Sequence, residues 1–143
     1  MNQKYYIAVG GVVLLLVIIV IVARRRKRRR NVDTAYFMRR WQELQKNCAS
    51  RKTWPQAIIE ADELLDEALK KLRYKGKTTG ERLVSAQHDL SDNESVWFGH
   101  KLRKRVPDED VRKLRKQDVL EALNGFRQAM RDLGVLEVPN DRP

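Results

Sequence analysis

Between Tyr5 and Ala23 the chain reads YYIAVGGVVLLLVIIVIVA, nineteen residues without a charge and almost all aliphatic. As a helix rising about 1.5 Å per residue, this stretch spans roughly 28 Å, close to the hydrocarbon thickness of a bilayer. Every backbone hydrogen bond is then made inside the segment, as a lipid environment demands. From Ala35 onward the pattern changes. Apolar residues recur every three or four positions among charged ones, which predicts amphipathic helices and no strand.

The first of these is expected from Ala35 to about Asn47, with Phe37, Trp41, Leu44 and Cys48 on one face. Thr53-Trp54-Pro55-Gln56 has the form of a capping box with an early proline, and opens a second helix from Trp54 to Leu72. Its apolar stripe is Ile58, Ala61, Leu65, Ala68 and Leu72. Thr78-Thr79-Gly80-Glu81 caps a short third helix, and Ser91-Asp92-Asn93-Glu94 caps a fourth that carries Val96, Trp97, His100 and Lys101 and stops before Pro107. After a short segment with Val111 and Leu114, Asp118 is expected to cap a last helix. There Val119, Ala122, Leu123, Phe126, Met130 and Leu133 share a face, and Gly134 follows as the C′ residue. Trp41, Trp54, Trp97 and Phe126 are the large core candidates.

The fold class expected is therefore all-α: one N-terminal transmembrane helix followed by a small cytoplasmic bundle of four to five helices. Residues 1–23 form a short outer N-terminus and the spanning helix, 24–33 a polybasic juxtamembrane linker, 34–136 the bundle and 137–143 a disordered tail.

Charge supplies the orientation. Arg24, Arg25, Arg26, Lys27, Arg28, Arg29 and Arg30 follow the apolar run, against Lys4 before it, so the positive-inside rule places the N-terminus outside and the bundle in the cytoplasm at the cell membrane. The same seven cations are candidates for contact with anionic lipid headgroups. A cleaved secretory signal carries its charge ahead of the apolar stretch and a small-residue cleavage site after it, the reverse of this order. Tyr5 and Tyr6 suit the outer interface, and Gly10 and Gly11 lack the four-residue spacing that lets two membrane helices pack closely. The net charge of +11 looks like that of a nucleic-acid binder until it is divided: after Arg30 there remain 22 Lys and Arg against 19 Asp and Glu. Cys48 is the single cysteine, which excludes an internal disulfide and a multi-cysteine metal site and fits a reduced compartment.

Candidate chemistry is sparse. Glu60, Asp62, Glu63, Asp66 and Glu67 cluster on the second helix, and with no His at ligand spacing they read as a solvated face. KGKTTGE, from Lys75 to Glu81, lacks the order of glycines and lysine that cradles a phosphate, and no strand precedes it. His88 stands alone and reads as exposed or capping, while His100 reads as a half-buried packing residue beside Trp97. No catalytic residue, metal ligand or cofactor is expected. The densest basic feature is HKLRKRVPDED, positions 100 to 110, followed by Arg112, Lys113, Arg115 and Lys116. His100, Lys101, Arg103, Lys104 and Arg105 are the candidates for RNA or phosphate contact, to be weighed against a solvated face in which the acids pair with their basic neighbours.

The succession AIIEADELLDEALKKL (57 to 72), GKTTGERL (76 to 83), VWFGHKLRKRV (96 to 106) and VLEALNGFRQAMRDLGVL (119 to 136) resembles the small helical bundles of the HEPN superfamily, in a membrane-tethered bacterial form. It covers roughly Thr53 to Leu136. Members that cut RNA carry an Arg, a polar residue after it, and a His four to six positions on. Arg103 matches the arginine, but Lys104 stands at the polar position and Pro107 to Asp110 occupy the place of the histidine. The resemblance thus implies a non-catalytic member. On this reading the protein is a membrane-anchored, non-enzymatic interaction module with a cytoplasmic protein partner, self-association included. The alternatives are an RNA-binding or degenerate ribonuclease domain at the membrane, and a soluble part that lies on lipid through Lys101 to Lys116.

Overall fold

The computed structural model describes residues 2–30 and 32–137, which fall into two compact units dividing after Asn31. The described residues are helical and contain no strand. The expectation for the tail from 138 to 143 lies outside the described residues.

The first unit is a single helix, α1 (Asn2–Arg30), and its stretch Asn2–Lys27 is long and apolar enough to cross a membrane. Its aliphatic side chains stand exposed on every side of the helix, as they must if their solvent is to be lipid. The basic run continues α1 rather than forming the linker expected from 24 to 33. Arg and Lys are good helix formers, and cations suit the negative end of the helix dipole. Val32 is already buried with the core of the second unit.

That unit holds α2 (Thr34–Lys46), α3 (Trp54–Lys71), α4 (Thr79–Ala86), α5 (Asn93–Arg105) and α6 (Lys116–Asp132), with 3-10 turns at Arg51–Thr53, Gln87–Asp89 and Val111–Lys113. The five helices agree with the number expected. α3 is the central element: it packs against α2, α4, α5 and α6, while α5 packs along α6. Two adjoining rows of α3 are therefore buried, Ile58, Ala61, Leu65, Ala68 and Leu72 as expected, and Ala57, Leu64 and Leu69 beside them. Each large aliphatic side chain so removed from water contributes about 1.5–3 kcal/mol. Phe37, Trp41 and Leu44 of α2 and the whole expected stripe of α6 complete the core. Cys48 is half-buried, and burial pushes its thiol up, away from the reactive thiolate.

The sequence misplaces several caps by one to three residues. α2, which the sequence left without a named cap, is capped by Asp33, accepting from the Tyr36 amide at 3.1 Å. Thr53 makes no capping bond, because the 3-10 turn before α3 turns its hydroxyl back to the Asn47 and Ser50 carbonyls. Asp92, rather than Ser91, caps α5, and Ser91 instead donates its amide and hydroxyl to Asp132 on α6. α6 starts at Lys116, so Asp118 lies in its first turn, 3.5 Å from Arg115. Thr78 caps α4 as expected.

Two helices end in the same way. After α6, Gly134 (φ 75°) lets the Val135 amide reach the Met130 carbonyl at 3.0 Å. After α3, Arg73 (φ 62°) lets the Tyr74 amide reach Leu69, also at 3.0 Å, although a side chain in this region costs about 1 kcal/mol. The α5–α6 contact is close: a Cβ on Gly125 would stand 2.6 Å from the backbone carbonyl of Ser95.

A candidate cleft between α3, α4 and α5

Asp62 sits on the buried side of α3, only 3% exposed, where Ile58, Asp62, Leu65 and Leu69 follow one another at helical spacing. A carboxylate on an apolar face needs a partner. Two come from α5. His100 donates from Nδ1 to the Asp62 Oδ1 at 2.8 Å, and Arg103, one turn later, holds its Nε 3.6 Å from Oδ2. Arg103 also reaches Glu63, with Nη2 3.9 Å from Oε1.

The imidazole is 5% exposed, with its edge toward the Trp97 ring at a centroid distance of 5.9 Å. Its other nitrogen, Nε2, looks toward Gly80 in the first turn of α4, where a Cβ would lie 3.8 Å away. With no side chain at that position, the ring edge borders open space.

One turn along α3, Asp66 meets a different set. Arg82 of α4, itself buried, donates from Nε to Asp66 Oδ1 at 2.8 Å and from Nη1 to the Gly76 carbonyl at 2.7 Å. Lys70 adds a contact at 2.8 Å. Burial by itself raises the Asp66 carboxyl, but the hydrogen bonds from Arg82, Lys70 and Thr79, together with the Arg82 charge, outweigh it and hold the group below the usual Asp value.

Above these two clusters lies a cleft of about 500 Å³. α3 lines it with Asp62, Glu63, Asp66, Glu67 and Lys70, the start of α4 with Thr78, Thr79 and Gly80, and α5 with His100, Arg103 and Lys104. Four carboxylates thus face three cations and an imidazole, with Arg82 behind Asp66, so the cleft is close to balanced in charge. Among the described residues no group of three or more His, Cys, Asp or Glu is arranged to hold a metal ion.

Several sequence expectations change here. The acidic cluster of α3 is not a uniformly solvated face, since Asp62 and Asp66 are held by α5 and α4 and only Glu63 stands largely in solvent. His100 is buried and bonded rather than half-buried packing, whereas His88 is exposed as expected. Of the five phosphate-contact candidates the cleft gathers His100, Arg103 and Lys104. Lys101 points to solvent, and Arg105 lies outside the cleft with Glu109 at 3.8 Å. Trp41 is in the core, but Trp54 and Trp97 are only partly buried: the Trp54 indole donates to the Cys48 carbonyl and carries Arg51 on its face. Arg24, Arg25, Arg26 and Lys27 are exposed on α1, and the side chains of Arg28, Arg29 and Arg30 lie outside the description.

The sequence reading missed Asp62, Asp66, Thr78 and Thr79 as cleft residues, and Arg82 as the buried partner behind Asp66. Asp62 had a signal, an acid inside an apolar row; Arg82 had none, because its partner lies 16 positions away. Compared with known proteins, the chain matches no family model, no curated protein and no solved structure.

Proposed function

We propose that the chain is a single-pass protein of the cell membrane, N-terminus outside, whose cytoplasmic bundle is a non-enzymatic recognition module that meets a protein partner in the α3–α4–α5 cleft. The length and apolarity of α1 and the seven cations after Ala23 support the topology. The observation that carries the cleft reading is its charge balance. A polyanion entering there meets Asp62, Glu63, Asp66 and Glu67, whereas a peptide surface bearing both signs finds a complement for each.

A second reading rests on a specific contact. His100 and Arg103 lie one turn apart on α5, and Asp62 accepts a hydrogen bond from Nδ1 of the imidazole, which leaves Nε2 on the side of Gly80 and the cleft. A carboxylate-oriented imidazole beside a guanidinium is equipped to move a proton at a phosphodiester and hold its oxygens. The arginine-to-histidine order of the HEPN resemblance is absent, since His100 precedes Arg103, and the reading rests on this pair alone. It defines the alternative function, an RNA-binding or RNA-cleaving domain at the membrane.

One experiment separates the two. A photo-crosslinking residue at Lys104, with one at exposed Arg40 of α2 as control, is introduced into the full chain in its native membrane, and a mixed RNA pool is offered in parallel. The recognition module gives a protein adduct specific to position 104, abolished by Glu63→Lys, with the RNA pool intact. RNA adducts, or cleavage that disappears in His100→Gln, establish the second reading and remove the first.

A further inference from the structure

The 3-10 turns Arg51–Thr53 and Val111–Lys113 are nearly sixty residues apart in sequence, yet they pack against each other. Each is basic at its tip: Arg51, Lys52, Arg112 and Lys113 are all exposed, and Arg115 and Lys116 follow directly. Arg112 is answered by Asp110 at 3.2 Å and Arg115 by Asp118 at 3.5 Å. Among the described residues Lys52, Lys113 and Lys116 have no acidic partner.

Residues 51–52 and 105–118 together hold seven Lys and Arg against four Asp and Glu, a net of three. The whole chain after Arg30 holds 22 against 19, also a net of three. The corner is thus one basic concentration of the bundle, the run Lys70, Lys71, Arg73, Lys75 and Lys77 being another, and it is the one in which two turns distant in sequence bring their cations together.

We infer that this corner is an electrostatic docking surface for the anionic leaflet of the membrane that holds the chain. The inference rests on the anchored, cytoplasmic reading above. Three positions separate Arg30 from Thr34, so a bundle on this tether never leaves the neighbourhood of the leaflet, and even a modest attraction is satisfied intramolecularly. Lysines on exposed turns suit a surface that offers diffuse negative potential and asks for no fixed geometry. Single-stranded nucleic acid is the less fitting occupant: binding it draws on aromatic faces for stacking, and the Trp54 ring nearby carries Arg51 at 5.4 Å. Docking by this corner gives the bundle a preferred attitude on the membrane, set by lipid charge.

The test uses the full chain in nanodiscs of phosphatidylcholine alone and of phosphatidylcholine with phosphatidylserine, read by amide hydrogen exchange. Exchange across residues 50–54 and 111–117 is expected to slow several-fold in the anionic discs only, and to recover in high salt. The triple variant Lys52→Gln, Lys113→Gln, Lys116→Gln keeps the basic run at the end of α1 and is expected to lose that protection without a change in melting temperature. Equal exchange in both discs overturns the inference, as does protection that survives the triple variant, or protection that comes from added RNA and not from phosphatidylserine. A chain that fails to insert into discs of either kind removes the anchored reading itself, whereas insertion without lipid-dependent protection removes only the docking surface.

Discussion

Asp62 and Asp66 lie one turn apart on α3 and look alike in the sequence, but they live by different rules. Asp66 is met by Arg82 and Lys70, groups that stay charged, and its carboxyl is correspondingly easy to ionise. Asp62 is the more deeply buried, and its closest partner is the buried imidazole of His100, with the Arg103 guanidinium further off. One turn of helix thus carries a fastening to permanent cations, which ties α4 to α3, and next to it a buried fastening to an imidazole, which ties α5 to α3 beside the cleft. What differs is supplied entirely by the partner elements.

The comparison breaks most visibly at Asp62. Asp62→Ala leaves His100 without its acceptor and the Arg103 guanidinium without its nearest countercharge, and the full chain in detergent is expected to lose about 3 kcal/mol in urea unfolding followed by circular dichroism.

Arg82→Met is expected to cost less, about 2 kcal/mol, because Lys70 still serves Asp66 while the Gly76 carbonyl loses its donor. It should also change the acid response. The Asp66 pKa is lower folded than unfolded, so its stabilisation is complete above the ordinary value of 3.8 and disappears as pH falls through the folded value. Melting temperature against pH should therefore fall less steeply in that acid window for Arg82→Met than for the parent chain. An unchanged slope would show that the buried cation is not what depresses Asp66.

The smallest effect belongs to Lys70. Its side chain is 60% exposed, and Lys70→Ala is expected to shift stability by under about 0.5 kcal/mol, within reach of a double-mutant cycle with Asp66→Asn.

Helix number, the stripes of α3 and α6 and the glycine stop at Gly134 were legible in the sequence because each is written at a spacing of three or four residues. The caps at Asp33 and Asp92 were less so. Runs such as Asp33-Thr34 and Ser91-Asp92 offer two capping side chains side by side, and tertiary bonds, such as that of Ser91 to Asp132, decide which one caps. The cleft was hardly legible at all. His100, Arg103 and Lys104 were singled out for their charge, but the carboxylate that organises the first two lies 38 residues from His100, and the same packing that creates the cleft takes Lys101 and Arg105 out of it. The basic corner was seen only in its second half, since Arg51 and Lys52 join it by a contact between two turns that no local pattern announces.

Gly125 has a bearing on how such a cleft can change over evolutionary time. On the side of α5 that packs against α6, even a methyl group on Gly125 would meet the Ser95 carbonyl at 2.6 Å. That wall has no slack, and a lineage cannot widen the opening by retreating α5 in small steps. Variation in what the cleft admits has to enter from the opposite bank, through the brief α4 and the residues that lead into it, where Thr78, Thr79 and Gly80 can be exchanged one at a time.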